Sequence, residues 1–450
     1  MNPEFRRNVW LELTARRIFT MTAVLLLIFF AAALSSDSAP ASAAVTLYYF
    51  IVVFWGARNA SLSVVGEIRD HTWDFQRLSS LGAAEMTWGK LFGSTIFNWF
   101  GGAICLAVIF AYRLTHSGLA ASLINLVYFI VIGVIAQSVA LLASLVAALR
   151  RQAHTRLEVF SYQAVGILAA LAAYLVWSAA DPAGSVLGRS TGSDVVPWWD
   201  HGFDAHVFLI LSLAIFAGWT LVGCYRAMRL ELKMRNGPYV WLAFLAFIGL
   251  YVAGFDAWLP NKWTLGESNA VALRLALAAW TYAVITYLMV FLEPKDAVLY
   301  RWLGAQISSA RVGAAAVRLQ AWMMSHLAAL AVTAALLAWF VKTDSIAAAA
   351  FVVAAFGFFT RDVAIFVLLQ SLPGPRRGDF AALVTLLALY VLIPSILRAL
   401  ALKDALLLFY PQMSDPVWLS PIIAWMQALA VAGIAASRVA AGGRRAEATA

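Results

Sequence analysis

Residues Gly66–Lys90 read GEIRDHTWDFQRLSSLGAAEMTWGK, a polar interval set between two long apolar runs. It carries Glu67, Arg69, Asp70, Asp74, Arg77 and Lys90, yet it keeps Trp73, Phe75, Leu78, Leu81, Met86 and Trp88 at roughly helical spacing. A merely solvated loop has no use for those aromatics. The pattern predicts short helices on the cytoplasmic membrane face, with charge offered to a soluble partner and apolar residues offered to a helical bundle.

Outward from this interval the chain is overwhelmingly apolar. Hydrophobic residues make up 63% of its 450 residues and charged ones only 12%, and the mean hydropathy is +0.82. These values lie far outside the range of soluble domains. Runs near the roughly 20 residues needed to cross a bilayer recur along the whole length, which predicts an all-α, polytopic membrane protein rather than a barrel. No stretch is left over for a soluble domain.

The net charge of +9 does not indicate nucleic acid, because the basic residues sit at every second interval between apolar runs. Arg6, Arg7, Arg16 and Arg17 open the series, followed by Arg69, Arg77 and Lys90, then Arg150, Arg151 and Arg156. Arg226, Arg229, Lys233 and Arg235 continue it, then Lys295, Arg301, Arg311 and Arg318, then Arg376 and Arg377, and finally Arg438, Arg444 and Arg445. The opposite intervals hold only Arg113, Arg189, Lys262, Arg274, Lys342, Arg398 and Lys403. This positive-inside asymmetry predicts that both termini are cytoplasmic. The opening MNPEFRRNVWLELTARRIFT reads as an amphipathic interfacial helix, with Phe5, Val9, Trp10 and Leu13 on one side, rather than a cleavable signal.

About twelve spans of bilayer length result. In the first half they cover Ile18–Leu34, Val45–Val65, Leu91–Tyr112, Ala120–Leu149, Val159–Ala179 and Asp204–Cys224. In the second half they cover Tyr239–Phe255, Val271–Phe291, Leu319–Val341, Ile346–Leu372, Phe380–Leu397 and Pro416–Ala436. The longest outer interval, DPAGSVLGRSTGSDVVPWWDHGFD between the fifth and sixth spans, contains Pro197, Trp198 and Trp199, residues suited to a re-entrant or interfacial turn.

The two halves, 1–224 and 225–450, resemble each other. Glu67-Ile68-Arg69-Asp70 follows the second span, and Glu293-Pro294-Lys295-Asp296 occupies the matching place in the second half. A Trp follows in each, Trp73 and Trp302, and then a basic residue ahead of the third span, Lys90 and Arg318. Repetition after an even number of crossings implies two parallel halves.

Catalytic and metal-binding constellations are not evident. The six His residues lie at loops and span ends without ligand spacing, and the two cysteines, Cys105 and Cys224, sit in apolar runs. His201 and His206 flank Asp204 beside Asp200, which reads as a wet outer loop rather than a metal site. Gly82 and Gly89-Lys90 do not have the spacing of a phosphate loop, so neither nucleotide binding by that route nor an enzyme activity of this chain is expected. Charges inside spans are few: Arg58 and the adjacent Arg361-Asp362. A proton or ion relay is their functional reading, whereas snorkelling Arg side chains and paired carboxylates are the plainer one. Asn98, Asn125, Gln137 and Gln163 are candidates to bridge helices.

With these residues in place, the first half resembles the membrane permease of ABC type 2 exporters: an amphipathic first helix, two spans, a charged coupling segment, then further spans. Trp73–Gly93, WDFQRLSSLGAAEMTWGKLFG, is similar to bacterial permeases of ABC transporters. The likeness is good over the first hundred residues and faint over the second half. It implies coupling to a separately encoded ATPase through 66–90, at Glu67, Arg69, Asp70, Trp73, Asp74, Arg77 and Lys90, with Trp73, Phe75 and Trp88 as apolar anchors. In the second half the matching positions are Glu293, Lys295, Asp296, Arg301, Arg311 and Arg318, within 293–318. It further implies two ATPase subunits per chain that carry ATP and Mg²⁺, no cofactor in this chain, a bacterial inner-membrane location, and room for an additional periplasmic or membrane subunit. The fusion of two halves departs from the family, whose chains usually have six spans. Rival readings are a twelve-span secondary transporter and a non-transporting membrane scaffold.

Overall fold

In lipid a spanning segment has to satisfy its own backbone polar groups, and the apolar runs do so as α-helices. The computed structural model describes residues 2–149, 156–180, 195–256, 270–293, 297–370, 378–413 and 415–448. The chain is a polytopic helical membrane protein with ten helices long and apolar enough to cross a bilayer among these residues. The longest of them, Ile96–Leu149, has 54 residues and breaks at Gly118, where φ is 80° and ψ 172°. Uninterrupted it would run about 80 Å, far beyond a hydrocarbon core of about 30 Å. Gly118 therefore divides it into two crossings, and glycine suits a backbone angle that side chains resist. With the shorter apolar helix Tyr239–Ala253, apolar helices stand at each of the positions read from the sequence.

Two compact units emerge, Met1–Val196 with Gly202–Asn236, and Pro197–His201 with Gly237–Ala450. The first unit contains α1 (Pro3–Glu12), α2 (Ala15–Ala33), α3 (Ala39–Arg69), α4 (Trp73–Arg77), α5 (Ala83–Trp88), α6 (Ile96–Leu149), α7 (Arg156–Ala180) and α8 (Ala205–Glu231). A short hairpin, β1 (Val195–Trp198) and β2 (His201–Asp204), precedes α8. The tail of α8 stays with this unit because Asn236 donates to the Arg226 carbonyl at 2.8 Å and Arg229 to that of Arg235 at 2.8 Å.

The second unit contains α9 (Tyr239–Ala253), α10 (Ala270–Leu292), α11 (Ala297–Ser308), α12 (Val312–Ala316), α13 (Ala321–Lys342), α14 (Ile346–Gln370), α15 (Phe380–Ala399) and α16 (Leu419–Ala448). The Pro197–Trp199 stretch, read as a re-entrant or interfacial turn, is the end of β1 and the start of the hairpin's tip at Trp199 and Asp200. Trp199 and Asp200 there adopt φ of 51° and 62°. The indole nitrogens of Trp198 and Trp199 donate to the carbonyls of Tyr251 and Leu250 at 3.0 and 3.1 Å. They thereby add donors to the last turn of α9, where Leu250 O also accepts the capping Gly254 nitrogen at 3.3 Å.

Several helices end without glycine. His71, Lys233, Ala310, Asp344 and Ala401 each take a left-handed φ. Each is followed by a paired backbone closure, such as His71 N to Ile68 O at 3.2 Å and Thr72 N to Glu67 O at 2.9 Å. This is the Schellman arrangement, normally given to glycine.

Within α3 the turn Tyr49–Trp55 is π-helical. Carbonyls of this turn accept side-chain amides from three other crossings. Asn98 Nδ2 reaches Ile51 O at 2.8 Å, Gln137 Nε2 reaches Val52 O at 3.0 Å, and Gln163 Nε2 reaches Phe54 O at 3.0 Å. Trp99 Nε1 in turn donates to Gln137 Oε1 at 2.8 Å. The amides read as helix bridges thus hold one irregular turn; Asn125 instead donates to Ala121 O in its own helix. Replacing Gln137 by Leu leaves Val52 O and Trp99 Nε1 each short of a partner, at about 1–3 kcal/mol per buried group. The Gln137→Leu protein is expected to unfold at a clearly lower temperature in detergent, and an unchanged midpoint would show that the girdle adds nothing to stability.

Candidate functional site

The polar interval forms because α3 stops at the left-handed His71 and the chain turns along the end of the bundle through α4 and α5. It rejoins the bundle through a second π-helical turn, Gly89–Gly93. Lys90 lies in that turn with 1% of its surface exposed. Its Nζ is 2.9 Å from Glu4 Oε1 and also pairs with Glu67 Oε2. Arg7 closes the ring from outside, 3.0 Å from Glu67 Oε1 and 3.2 Å from Glu4 Oε1. Gln76 donates a further bond to Glu67 Oε1. Buried charge is tolerated only when paired in this way.

Helix α1 is brought onto the interval by its polar side. Asn2 caps it, accepting from the backbone nitrogens of Glu4 and Phe5 at 3.0 and 3.3 Å. Glu4 and Asn8, one turn apart, face the π-helical turn, and Asn8 Nδ2 donates to Gly89 O at 3.3 Å. A β-carbon on Gly89 would sit 2.5 Å from the Glu4 side chain, and one on Gly93 would sit 2.9 Å from that of Asn8. These two glycines are the gap into which α1 fits. Of the apolar residues of α1, Trp10 and Leu11 are exposed and Phe5 and Val9 half-buried.

Trp73 joins the cluster from the other side. It is buried, donates from Nε1 to Glu231 Oε2 on α8 at 3.4 Å, and places its ring 5.8 Å from Lys90 Nζ. Apolar neighbours Val64, Met86, Leu91, Leu145 and Met228 pack beneath it.

The interval therefore divides into two sets. Glu67, Trp73 and Lys90, read as partner-facing or anchoring groups, form an internal clamp. Arg69, Asp70 and Asp74 remain exposed, and Arg77 is half-buried and pairs with Asp74 at 3.2 Å. Of the three expected apolar anchors only Trp73 packs inward. Phe75 is 78% exposed and Trp88 is also largely exposed, as is Leu78. Spacing explains this: Trp73 and Phe75 are two residues apart on α4, and such residues point to opposite sides of a helix.

In the second unit, Glu293 closes the corresponding place differently. Its carboxylate accepts from the backbone nitrogens of Ala321 and Trp322 at the start of α13, both at 3.0 Å. A carboxylate suits that position because the N-terminal N–H groups of a helix lack partners and carry partial positive charge. Arg318 lies over the Trp302 ring at 4.3 Å. Arg301 is half-buried and Arg311 exposed. Lys295 and Asp296 lie outside the described residues.

The charges within spans behave in two ways. Arg58 is exposed on α3. Arg361 does not snorkel: it is buried in α14 with Asp362, to which its Nε and Nη2 donate at 3.0 and 2.9 Å. Gln427 accepts from Arg361 Nη1 at 2.8 Å, and the hydroxyls of Tyr287 and Tyr390 donate to Asp362 Oδ2 at 2.8 and 2.6 Å. The Arg-Asp dipeptide was visible in the sequence, but these partners come from helices 28 to 75 residues away, and nothing in their local sequence marks them.

Among the described residues no three His, Cys, Asp or Glu side chains converge on a metal position. Both cysteines are buried and free. The chain matches no known protein-family model, no curated protein and no solved structure.

Removing the clamp's cation while leaving its anions is the sharpest test of this geometry. Lys90→Met is expected to destabilise the protein by about 3–5 kcal/mol, because Glu4 and Glu67 remain beside each other with only the half-exposed Arg7. Thermal unfolding and protease sensitivity near α1 report it, and adding Glu4→Gln should recover part of the loss. A Lys90→Met protein as stable as the parent would contradict the clamp.

Proposed function

We propose that the chain is the membrane subunit of an ATP-binding cassette exporter of the type 2 kind, working with an ATPase encoded separately. The observation that carries this reading is the division of 66–90 into an internally clamped block and an outer face. A segment that receives force from a soluble partner needs a rigid attachment to the spans and an accessible surface of mixed charge and apolar character. Glu67, Lys90 and Trp73 supply the first; Arg69, Asp70, Asp74, Phe75 and Leu78 supply the second. The basic residues concentrated at this end support a cytoplasmic placement for it and for both termini, in a bacterial inner membrane.

On this reading the ATPase carries ATP and Mg²⁺, and this chain hydrolyses nothing. A push on α4 and α5 passes through Trp73 to α8 and through Lys90 to α1 and α3. In the second unit a push near α11 and α12 passes through Glu293 to the first turn of α13. Each unit thus has its own receiving segment, which supports two ATPase subunits per chain. An aromatic and aliphatic interior favours an amphipathic or lipid-like cargo.

A mild-detergent purification of the tagged chain from its host tests the reading. A soluble ATPase with a phosphate loop is expected to co-purify, and the double change Asp74→Arg, Phe75→Asp should release it while leaving thermal stability nearly unchanged, since both side chains are exposed. Purification without any ATPase, together with no nucleotide-dependent transport, would overturn it. The buried Arg361–Asp362 pair is the one observation that favours the rival secondary transporter. That reading requires the chain alone, in proteoliposomes, to move solute down a proton gradient and to lose this ability in Asp362→Asn.

A further inference from the structure

A cleft of about 510 Å³ opens in the first unit, beside the clamp but lined by other residues. Its polar rim is formed by Glu12 and Arg17, on either side of the α1–α2 elbow, and by Asn59 on α3. Its apolar wall is Trp55, Leu62 and Phe97, with the Trp55 and Phe97 rings meeting edge to face at 6.1 Å. Arg17 Nη1 and Glu12 Oε2 are 2.6 Å apart, both partly exposed. Exposed pairs of this kind hold weakly and open readily to better partners. Asn59 commits its Nδ2 to Asn98 Oδ1 at 2.9 Å, and among the described residues no donor reaches its Oδ1.

The order of groups along the cleft is informative. Arg17 belongs to the first turn of the first long apolar helix, the place where a basic side chain on a spanning helix meets lipid headgroups. Leu62, Asn59 and Trp55 lie seven, ten and fourteen residues before the end of α3 at Arg69, about 10, 15 and 21 Å along its axis. An ion pair at the elbow beside a wall of Leu62, Phe97 and, deepest along α3, Trp55 offers together the two kinds of surface, ionic and apolar, that a phospholipid needs. We propose that this cleft binds a single phospholipid whose headgroup is zwitterionic and carries a primary ammonium.

In this arrangement the phosphate takes the Arg17 guanidinium and the ammonium takes Glu12, so each ion of the exposed pair exchanges its partner for one of the opposite ends of the headgroup. Asn59 Oδ1 is a further acceptor for an ammonium N–H. The upper acyl chain lies along Trp55, Leu62 and Phe97. An anionic headgroup would set a second negative charge beside Glu12. A quaternary ammonium has no N–H to donate. The bound lipid would join the elbow before α2 to α3 and to the start of α6, elements that the Lys90 clamp also ties together. The proposal stands independently of the transport reading.

The test uses the full chain, delipidated in detergent and exposed to equal mole fractions of phosphatidylethanolamine, phosphatidylcholine and phosphatidylglycerol, with retained lipid counted by native mass spectrometry. One phosphatidylethanolamine per chain is expected to be retained about tenfold over either competitor, the scale of a charge-assisted hydrogen bond. Glu12→Gln should reduce this to the phosphatidylcholine level, and Arg17→Gln should lower retention of all three. Ser63→Trp, which fills the cleft from α3, should abolish retention; Arg17→Gln, at an exposed position, keeps the test decisive if Ser63→Trp does not fold. Equal retention of the three lipids, or retention unaffected by Glu12→Gln and Arg17→Gln, would mean annular lipid only and would overturn the proposal. Displacement of the lipid by matched concentrations of water-soluble phosphoethanolamine would exclude a role for the apolar wall and overturn the assignment of a lipid.

Discussion

An ammonium group sealed from solvent survives as an ion only when opposite charge meets it at close range, and Lys90 is met from two directions. Glu4 comes from the first helix and Glu67 from the end of the second crossing. Neither carboxylate could approach without local backbone features that admit it. Gly89 and Gly93 open the space for α1, and the left-handed His71 ends α3 just past Glu67. Trp73 then lies against the same cation and reaches α8 through Glu231. One charge thereby fixes α1, the end of α3, α4 and α8 in relation to one another. The outer side of the interval, bearing Asp74, Phe75 and Leu78, is left free of that bonding.

The same demand for satisfied polar groups explains the irregular features elsewhere. Helix α9 has 15 residues, about 22 Å of axis, against a hydrocarbon core of about 30 Å. Its final carbonyls lie beyond the last helical N–H groups, and the indoles of Trp198 and Trp199 together with the Trp199 backbone nitrogen bond to them. In the first unit the π-helical turn of α3 is served by amides from the two parts of α6 and from α7. In the second unit Arg361 and Asp362 are enclosed by Tyr287, Tyr390 and Gln427. Each case follows from the cost of an unpaired polar group in a low-dielectric interior.

Which of these features could be read from the sequence depends on whether the signal is local. Hydropathy is local, so the apolar helices and the all-α class were legible, including the two crossings on either side of Gly118. Helix ends were less so, because His71, Ala310, Asp344 and Ala401 occupy left-handed positions that composition would assign to glycine. The charges of 66–90 were legible as a group, but their division was not. Burial of Lys90 depends on Glu4, 86 positions earlier, and on two glycines whose use is close approach rather than turning. Phe75 and Trp88 have the residue type of buried anchors but are exposed, since the helices that carry them are too short to form a continuous apolar face.

Comparison of Glu67 with Glu293 takes the argument one step further. Each follows the second crossing of its unit, and each holds the beginning of the third, but the groups that answer it differ. In the first unit the answer is a buried side-chain cation; in the second it is the pair of backbone nitrogens at Ala321 and Trp322. The basic residue beside the Trp explains the exchange. Lys90 sits inside the π-helical turn, where Glu4 supplies the second anion that its burial requires. Arg318 sits three residues before α13, exposed over Trp302, and the Glu293 carboxylate accepts instead from the nitrogens of the first turn of α13. The shared property is thus the attachment of one crossing to the next through a carboxylate. The first unit adds α1 to that attachment through Glu4, so its polar interval is tied to three helices where that of the second is tied to two.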